Sequence, residues 1–282
     1  MGFDNLPDVP PLILPGGPEY AEYSLRRSRE AAAKVATDLD VAYGDDRFQH
    51  LDVYFPEQAS HEALPTVMFV HGGAWSKGHK EWMGFMAPAI LEIPAIFVSI
   101  DHRLVPHVQH PAPVDDCAAA LDWLRSNVHQ YGGSPDCLFV GGHSSGGHLA
   151  ALLTLRARQA KPTIRGCIVI SAPINLDMNV ADGRRAQLIR DLVGEDGDSL
   201  DASPLHLVEG NNVPFLVAYG TEDLPEVMTY GKSFIEKLEG EKGGVRSLVL
   251  DGMGHFDTNL ACEHVDSTIS TAIRTFIESN AS

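Results

Sequence analysis

Short apolar runs alternate with segments of helical period along most of the chain. Pro65 to Val70, Ala95 to Ile100, Leu138 to Gly141, Gly166 to Ser171, Pro214 to Tyr219 and Val245 to Leu250 are nearly continuous in apolar residues. Strands covered on both faces read this way, whereas half-exposed strands alternate. Two further strand-like runs, Val41 to Gly44 and Leu51 to Phe55, flank a turn at Gly44-Asp45-Asp46. Helical patterning covers Glu19 to Ala36, Trp82 to Leu91, Val114 to Val128 behind Pro113, Leu149 to Ala157, Glu226 to Leu238, and Leu260 to Ile277. The alternation predicts an α/β fold with a mostly parallel, doubly covered sheet. Residues 1–18, rich in Pro and Gly, read as an irregular arm. The polar, Asp-rich stretch 175–212 falls between two core strands, where a cap is commonly inserted. The expectation is one domain over 1–282, with a small cap built from 175–212 and the N-terminal helix.

Bulk properties narrow the function classes. The chain has 282 residues, 44% of them hydrophobic, enough for a sizeable core. A formal net charge of −17 argues against nucleic acid and anionic membrane surfaces as partners. The expected partner is a small-molecule substrate, and a homodimer is left open. The start, Met1 to Pro7, has neither a basic nor an apolar leader region, and Leu6 fits a myristoylation signal poorly. No apolar run approaches membrane-spanning length. Cys117, Cys137, Cys167 and Cys262 are scattered without metal spacing and read as small core residues of a reduced, cytoplasmic protein. His102, His107 and His110 follow one strand but lack a carboxylate or cysteine at ligand spacing. Neither metal nor cofactor is expected.

The polar motifs lie at the carboxyl ends of the expected strands, where open α/β sheets place their sites. Gly142-His143-Ser144-Ser145-Gly146 is a G-x-S-x-G sequence between a strand and a helix, the context of a nucleophile elbow. A serine hydroxyl needs a base, and the base needs a group to fix its tautomer. Asp223 and then His255 follow in the chain order serine, acid, base, each at a strand end. Asp251 and Asp257 compete for the acid's place. The His71-Gly72-Gly73-Ala74-Trp75 loop sits where N–H donors for an oxyanion are needed, and Gly73, Ala74 and Ser145 are the candidate donors. Trp75 reads equally as a wall of the acyl pocket or as core. His71 is expected to bond loop backbone, His143 and His148 to pack near the elbow, Asp101 to pair with Arg103, and Asp115 and Asp116 to start a helix.

With these pieces placed, the chain resembles the kynurenine formamidase (arylformamidase) family of α/β-hydrolases from about Leu39 to Phe256. The resemblance rests on Leu39 to Gly44, Leu51 to Pro56, His71-Gly72-Gly73-Ala74-Trp75, Phe85-Met86-Ala87-Pro88, Gly142 to Ala150, Asp223-Leu224-Pro225-Glu226 and Gly254-His255-Phe256-Asp257. It implies the α/β-hydrolase fold, a triad of Ser144, Asp223 and His255, and cleavage of an aryl formamide such as N-formylkynurenine in tryptophan catabolism. The chain departs from the family at Ser145-Gly146-Gly147, where Ala-Gly-Ala is usual. Asp101 to Leu104 and Pro111 to Asp116 lean towards esterases of the hormone-sensitive-lipase type. The alternative reading is therefore a carboxylesterase for small acyl esters. A ligand receptor without turnover would be expected to lose the base, and His255 is present.

Overall fold

The apolar runs pair into one eight-stranded sheet in the computed structural model, which describes residues 2–57, 62–157, 164–181 and 183–281. The strands are β1 (Ala36–Ala42), β2 (His50–Phe55), β3 (Leu64–Val70), β4 (Ile96–Ile100), β5 (Gly133–His143), β6 (Gly166–Ile170), β7 (Phe215–Glu222) and β8 (Val245–Gly254). Their order is β1-β2-β4-β3-β5-β6-β7-β8. β1 and β2 pair antiparallel, β2 joins β4 antiparallel, and every later pairing is parallel.

The helices are α1 (Gly17–Ala32), α2 (Ala87–Leu91), α3 (Ala112–Asn127), α4 (Ser145–Ala157), α5 (Gly183–Val193), α6 (Pro225–Glu239), α7 (Asp257–Leu260) and α8 (Thr268–Asn280). They cover both faces because adjacent strand residues point to opposite sides. In β5, Leu138 and Val140 join a core with Leu121 of α3, Leu152 of α4 and Phe234 of α6. Phe139 between them joins a second core with Tyr20 of α1, Ile90 of α2 and Phe276 of α8. No helix among the described residues is long and apolar enough to cross a membrane.

Several element boundaries differ from the sequence reading, each for a local reason. The first helix stops at Ala32, and Ala36 belongs to β1, paired with Phe55. Pairing with β2 overrides the helical pattern there, and the register slips between Asp38 and Val41, where Asp40 has φ 65°. The span 82–91 is two short 3-10 turns, Lys80–Trp82 and Gly84–Met86, leading into α2. The single helix expected over 260–277 is broken: α7 and a 3-10 turn precede α8, whose first turn Ser267 caps by accepting the Ser270 N–H at 3.1 Å. Within 175–212 the described residues hold α5 and the 3-10 turn Pro204–His206. Residues 2–18 hold a 3-10 turn, Gly2–Asp4, and otherwise run irregularly into α1.

The strand tips matter most for the site. β7 and β8 run past the expected ends, with Glu222 opposite Gly254. The residues that follow, Asp223 and His255, therefore emerge side by side.

The expected Asp101–Arg103 pair does not form. The Arg103 guanidinium engages Asp116, with Nη2 donating at 2.7 Å, and the Arg103 N–H donates to the same carboxylate at 2.9 Å. Gln49 Nε2 adds a third donor at 2.7 Å. Asp116 is thus a buried anchor rather than a helix cap, and α3 begins four residues earlier, at Ala112. Asp101 instead accepts the Lys80 N–H at 2.6 Å. Arg103→Met leaves the Asp116 carboxylate buried without its cation. Urea unfolding is expected to show a loss of about 2–4 kcal/mol, less than a fully buried pair because Arg103 is partly exposed. A loss under about 0.5 kcal/mol, the size of a surface change, would mean that Gln49 and backbone satisfy Asp116 alone.

Candidate active site

The centre of the site is the one-residue step between β5 and α4. Ser144 has φ +54°, a left-handed conformation uncommon outside glycine. Its N–H donates to the Ile170 carbonyl at 2.9 Å, and its carbonyl accepts the His148 N–H at 3.1 Å. The flanking glycines are steric necessities. A Cβ on Gly146 would lie 2.1 Å from the Val70 carbonyl oxygen, and one on Gly142 would lie 2.3 Å from the Gly146 carbonyl carbon. Only this packing lets the turn close and raises the Ser144 hydroxyl from the sheet.

His255 Nε2 accepts from Ser144 Oγ at 2.9 Å, and His255 Nδ1–H donates to Asp223 Oδ1 at 2.8 Å. Asp223 also accepts the Leu224 N–H at 2.7 Å and the Ser171 hydroxyl. Burial alone would raise the Asp223 carboxyl. The hydrogen bond and charge of His255, with the Ser171 and Leu224 donors, outweigh it and hold the carboxylate below its ordinary pKa. Of the competing acids, Asp251 is exposed and takes the Thr221 hydroxyl at 3.4 Å, while Asp257 accepts the Gly254 N–H at 2.9 Å. Neither reaches the ring of His255.

The loop after β3 faces this trio. Gly73, Ala74 and Trp75 have φ 134°, 52° and 59°, three consecutive positive values. The Ser76 N–H donates to the Gly73 carbonyl at 3.2 Å, and the Val105 N–H donates to the Trp75 carbonyl at 3.0 Å. His71 Nδ1–H donates to the Gly72 carbonyl at 2.8 Å. Behind the loop, buried Lys80 ion-pairs with Asp52 at 3.0 Å and Asp40 at 3.3 Å, and with Glu81. The N–H groups of Gly73, Ala74 and Ser145 make no hydrogen bond to another described residue. Trp75 is both wall and core: it lines the cavity and packs into the core beneath. Its indole N–H donates to His148 Nδ1 at 3.1 Å, and His148 Nε2–H donates to the Ala202 carbonyl at 2.7 Å.

A supporting layer stands behind the trio, and sequence reasoning placed only His143 of it, beside the elbow. His143 Nε2–H donates to the His255 carbonyl at 2.8 Å. Ser171, itself at φ +51°, links Asp223 to Thr258, which donates to that same carbonyl at 3.0 Å. Ser171 could have been found, since it ends an apolar strand beside the elbow strand. Thr258 has no such signal. The N-terminal arm was also unread: its Leu14 closes over a cavity of about 180 Å³ beside Ser144 and His255. Trp75, Leu176, Ile189 of α5 and Val227 of α6 are among the residues of the remaining apolar wall.

Such an arrangement can pass the serine proton to the imidazole and stabilise the resulting cation with Asp223. It also presents free N–H donors to an oxygen that gains charge.

A family model designated BD-FAE matches residues 51–238, a span that holds the elbow and Asp223. The esterase LipC of Mycobacterium tuberculosis is 32% identical over 237 residues, covering 76% of this chain and 58% of LipC. A probable isoprenylcysteine alpha-carbonyl methylesterase of Arabidopsis thaliana, ICMEL1, is 28% identical over 242 residues, covering 77% and 50%. The chain thus spans about half the length of these curated relatives. An esterase structure from Pyrobaculum calidifontis superposes with a TM-score of 0.77 at 23% identity, over 93% of this chain and 91% of that one. The sheet and its helices are those of the α/β-hydrolase fold.

Burial pushes His148 down to about 4, and burial followed by the charge of His255 pushes His143 down to about 3. Both are neutral in the native state at ordinary pH, while an unfolded histidine titrates near about 6.5. Below that value the unfolded chain binds protons that the folded chain refuses. Stability therefore falls as pH drops from about 6.5 towards 4, by up to about 1.4 kcal/mol per pH unit for each histidine. Denaturant unfolding at pH 4 to 7 is expected to show this slope, and His148→Gln should reduce it by close to one proton. An unchanged slope would mean that His148 is already charged in the fold.

Proposed function

Since the chain belongs to the BD-FAE family, we propose that it is a serine carboxylesterase acting on small acyl esters. Ser144 is the nucleophile, His255 the general base and acid, and Asp223 the group that orients the base. The observation that carries this reading is the hydrogen-bonded series Ser144–His255–Asp223 opening onto an apolar cavity of about 180 Å³. The esterase names of the relatives support an ester as substrate.

Ser144 Oγ attacks the ester carbon while His255 Nε2 takes its proton. The carbonyl oxygen becomes an oxyanion held by the N–H groups of Gly73, Ala74 and Ser145. Collapse expels the alcohol, which takes the proton from His255. Water, deprotonated by the same nitrogen, then attacks the acyl-serine, and a second collapse frees the acid and restores Ser144. No metal or cofactor enters any step. The cap role of 175–212 belongs to the same proposal: Leu188 and Ile189 of α5 line the cavity together with Trp75.

A second reading keeps the machinery and changes the leaving group. Cleavage of a small acyl aryl amide such as N-formylkynurenine is favoured by the His71-Gly72-Gly73-Ala74-Trp75 loop, in which Trp75 walls the acyl side. His255 would then protonate an aniline rather than release an alcohol.

Ser144→Ala and His255→Ala are each expected to abolish hydrolysis of 4-nitrophenyl butyrate, with the double variant hardly worse, because such groups act as a unit. Asp223→Asn should keep the fold and lower kcat by roughly ten-thousandfold. Asp251→Asn should cost far less, and the reverse ranking would move the acid to Asp251. A second measurement separates the two readings. Esters of acetyl to butyryl size should exceed formanilide in kcat/KM, with each methylene beyond the cavity costing about 1–3 kcal/mol. If formanilide is turned over fastest, the amide reading replaces the ester one.

A further inference from the structure

Charge is distributed unevenly around Ser144. The chain carries 38 acidic side chains against 21 Lys and Arg. Yet Arg184, near the start of α5, lines both the apolar cavity and the narrow hollow that adjoins it at Gly73 and His143. Lys77, at the end of the oxyanion loop, lines that hollow too. Arg184 makes no ion pair or hydrogen bond among the described residues, and the one bond given to Lys77 Nζ goes to the neighbouring Ser76 hydroxyl, at 2.9 Å. Burial, and then the charge of Arg184, lower the Lys77 pKa, as expected when two cations face one space. Asp191 opposes that shift from the next turns of α5, but its carboxylate takes the Gln187 amide at 2.7 Å.

Other charges near the site are already engaged or stand elsewhere. Arg185 is tied to the Asn175 carbonyl at 2.7 Å and stacks over Tyr230. Glu226, half-buried, is the carboxylate that lines the same cavity, from the start of α6. The remaining acids near His255, Glu19 and Glu222 among them, line a different hollow on the far side of Leu14. The α5 side of the space around Ser144 is therefore positive, while its carboxylates come from α1, the end of β7 and the start of α6.

We propose that the site selects esters bearing a carboxylate, whose charge is received by Arg184 and Lys77. This rests on the esterase reading and names its substrate class. An ester with a free carboxylate at one end would place its apolar middle in the cavity, its carbonyl at Ser144, and its charge between the guanidinium and the ammonium. An arginine left unpaired in a chain of this acidity costs self-repulsion nothing and gains an attractive field for anions at the mouth. The planar fork of Arg184 suits a carboxylate, while Lys77 acts as a compact charge.

The test uses isosteric esters on both sides of the scissile bond. For the leaving group, the acetates of 4-hydroxybenzoate, 4-hydroxybenzamide and (4-hydroxyphenyl)trimethylammonium carry negative, zero and positive charge. For the acyl group, monomethyl glutarate is compared with methyl 4-carbamoylbutanoate. In at least one arm the anion should exceed its neutral partner in kcat/KM by about tenfold, through KM, the size expected of one charge-assisted hydrogen bond. Salt should erode that ratio. Arg184→Gln should bring it near one, Arg184→Lys should keep most of it, and Arg184→Glu should reverse it. Absence of preference in both arms, preference for the cation, or an equal loss on every ester in Arg184→Gln overturns the proposal. Calorimetric titration of the Ser144→Ala protein with the 4-carboxylate and the 4-carboxamide reads the same preference without turnover. Binding preference without hydrolysis in the wild type would sink the esterase reading and leave the anion subsite standing, whereas hydrolysis without preference would do the opposite.

Discussion

The whole site depends on a backbone conformation that a serine does not adopt unaided. Holding a non-glycine residue such as Ser144 at positive φ costs on the order of 1–3 kcal/mol, and the cost is met by everything packed around it. β6 supplies the carbonyl that fixes its N–H, β3 presses its backbone against Gly146, and α4 continues from the turn without a gap. The same condition recurs at Ala74, Trp75 and Ser171, which also have positive φ. Among the described residues, four of the five non-glycine residues in that conformation thus lie in the site. Strain concentrated in this way needs a rigid scaffold, and a parallel sheet buried on both faces provides one.

The second condition is that several polar groups lose water without gaining charge. His143 and His148 are buried as neutral rings, each donating one N–H to a backbone carbonyl. Each fixes something that must not drift: His143 holds the loop of His255, and His148 holds the indole of Trp75. Asp223 is the exception that keeps its charge, because three donors converge on it. A carboxylate so satisfied has little reason to take the imidazole proton. It is suited to stabilising a cation on His255 rather than to accepting that proton.

Much of the sheet was legible because buried parallel strands are continuous apolar runs. The β5 to α4 step was legible because glycine must flank a turn with no room for Cβ. Ser144, His255 and Asp223, chosen from chain order and strand ends, are the residues the structure brings within hydrogen-bond distance. What the sequence hid is long-range. The loss of Ala36 to β1, the break at 264–267 and the Arg103–Asp116 pair depend on partners far away in the chain. Residues 175–212 were unreadable because α5 is a single helix in a polar, Asp-rich stretch, and it divides its apolar face between the core, through Leu192 and Val193, and the cavity, through Leu188 and Ile189. The substrate followed the same divide: the motifs suggested a formamide, whereas the relatives bear esterase names.

Ser171 follows β6 and Asp223 follows β7, so both stand at the carboxyl edge of the sheet. Their side-chain bond ties these two strand ends together. The stretch between β6 and β7 leaves the sheet at this tied edge and rejoins it at Phe215. Lengthening such a loop is cheap, since each doubling adds only about 0.6 kcal/mol of closure entropy. Segments of other lengths and chemistry can be exchanged there while acid, base and nucleophile keep their distances. The fold so separates the strand ends that hold Ser144, Asp223 and His255 together from the segment that walls the cavity, and the second can diversify without moving the first.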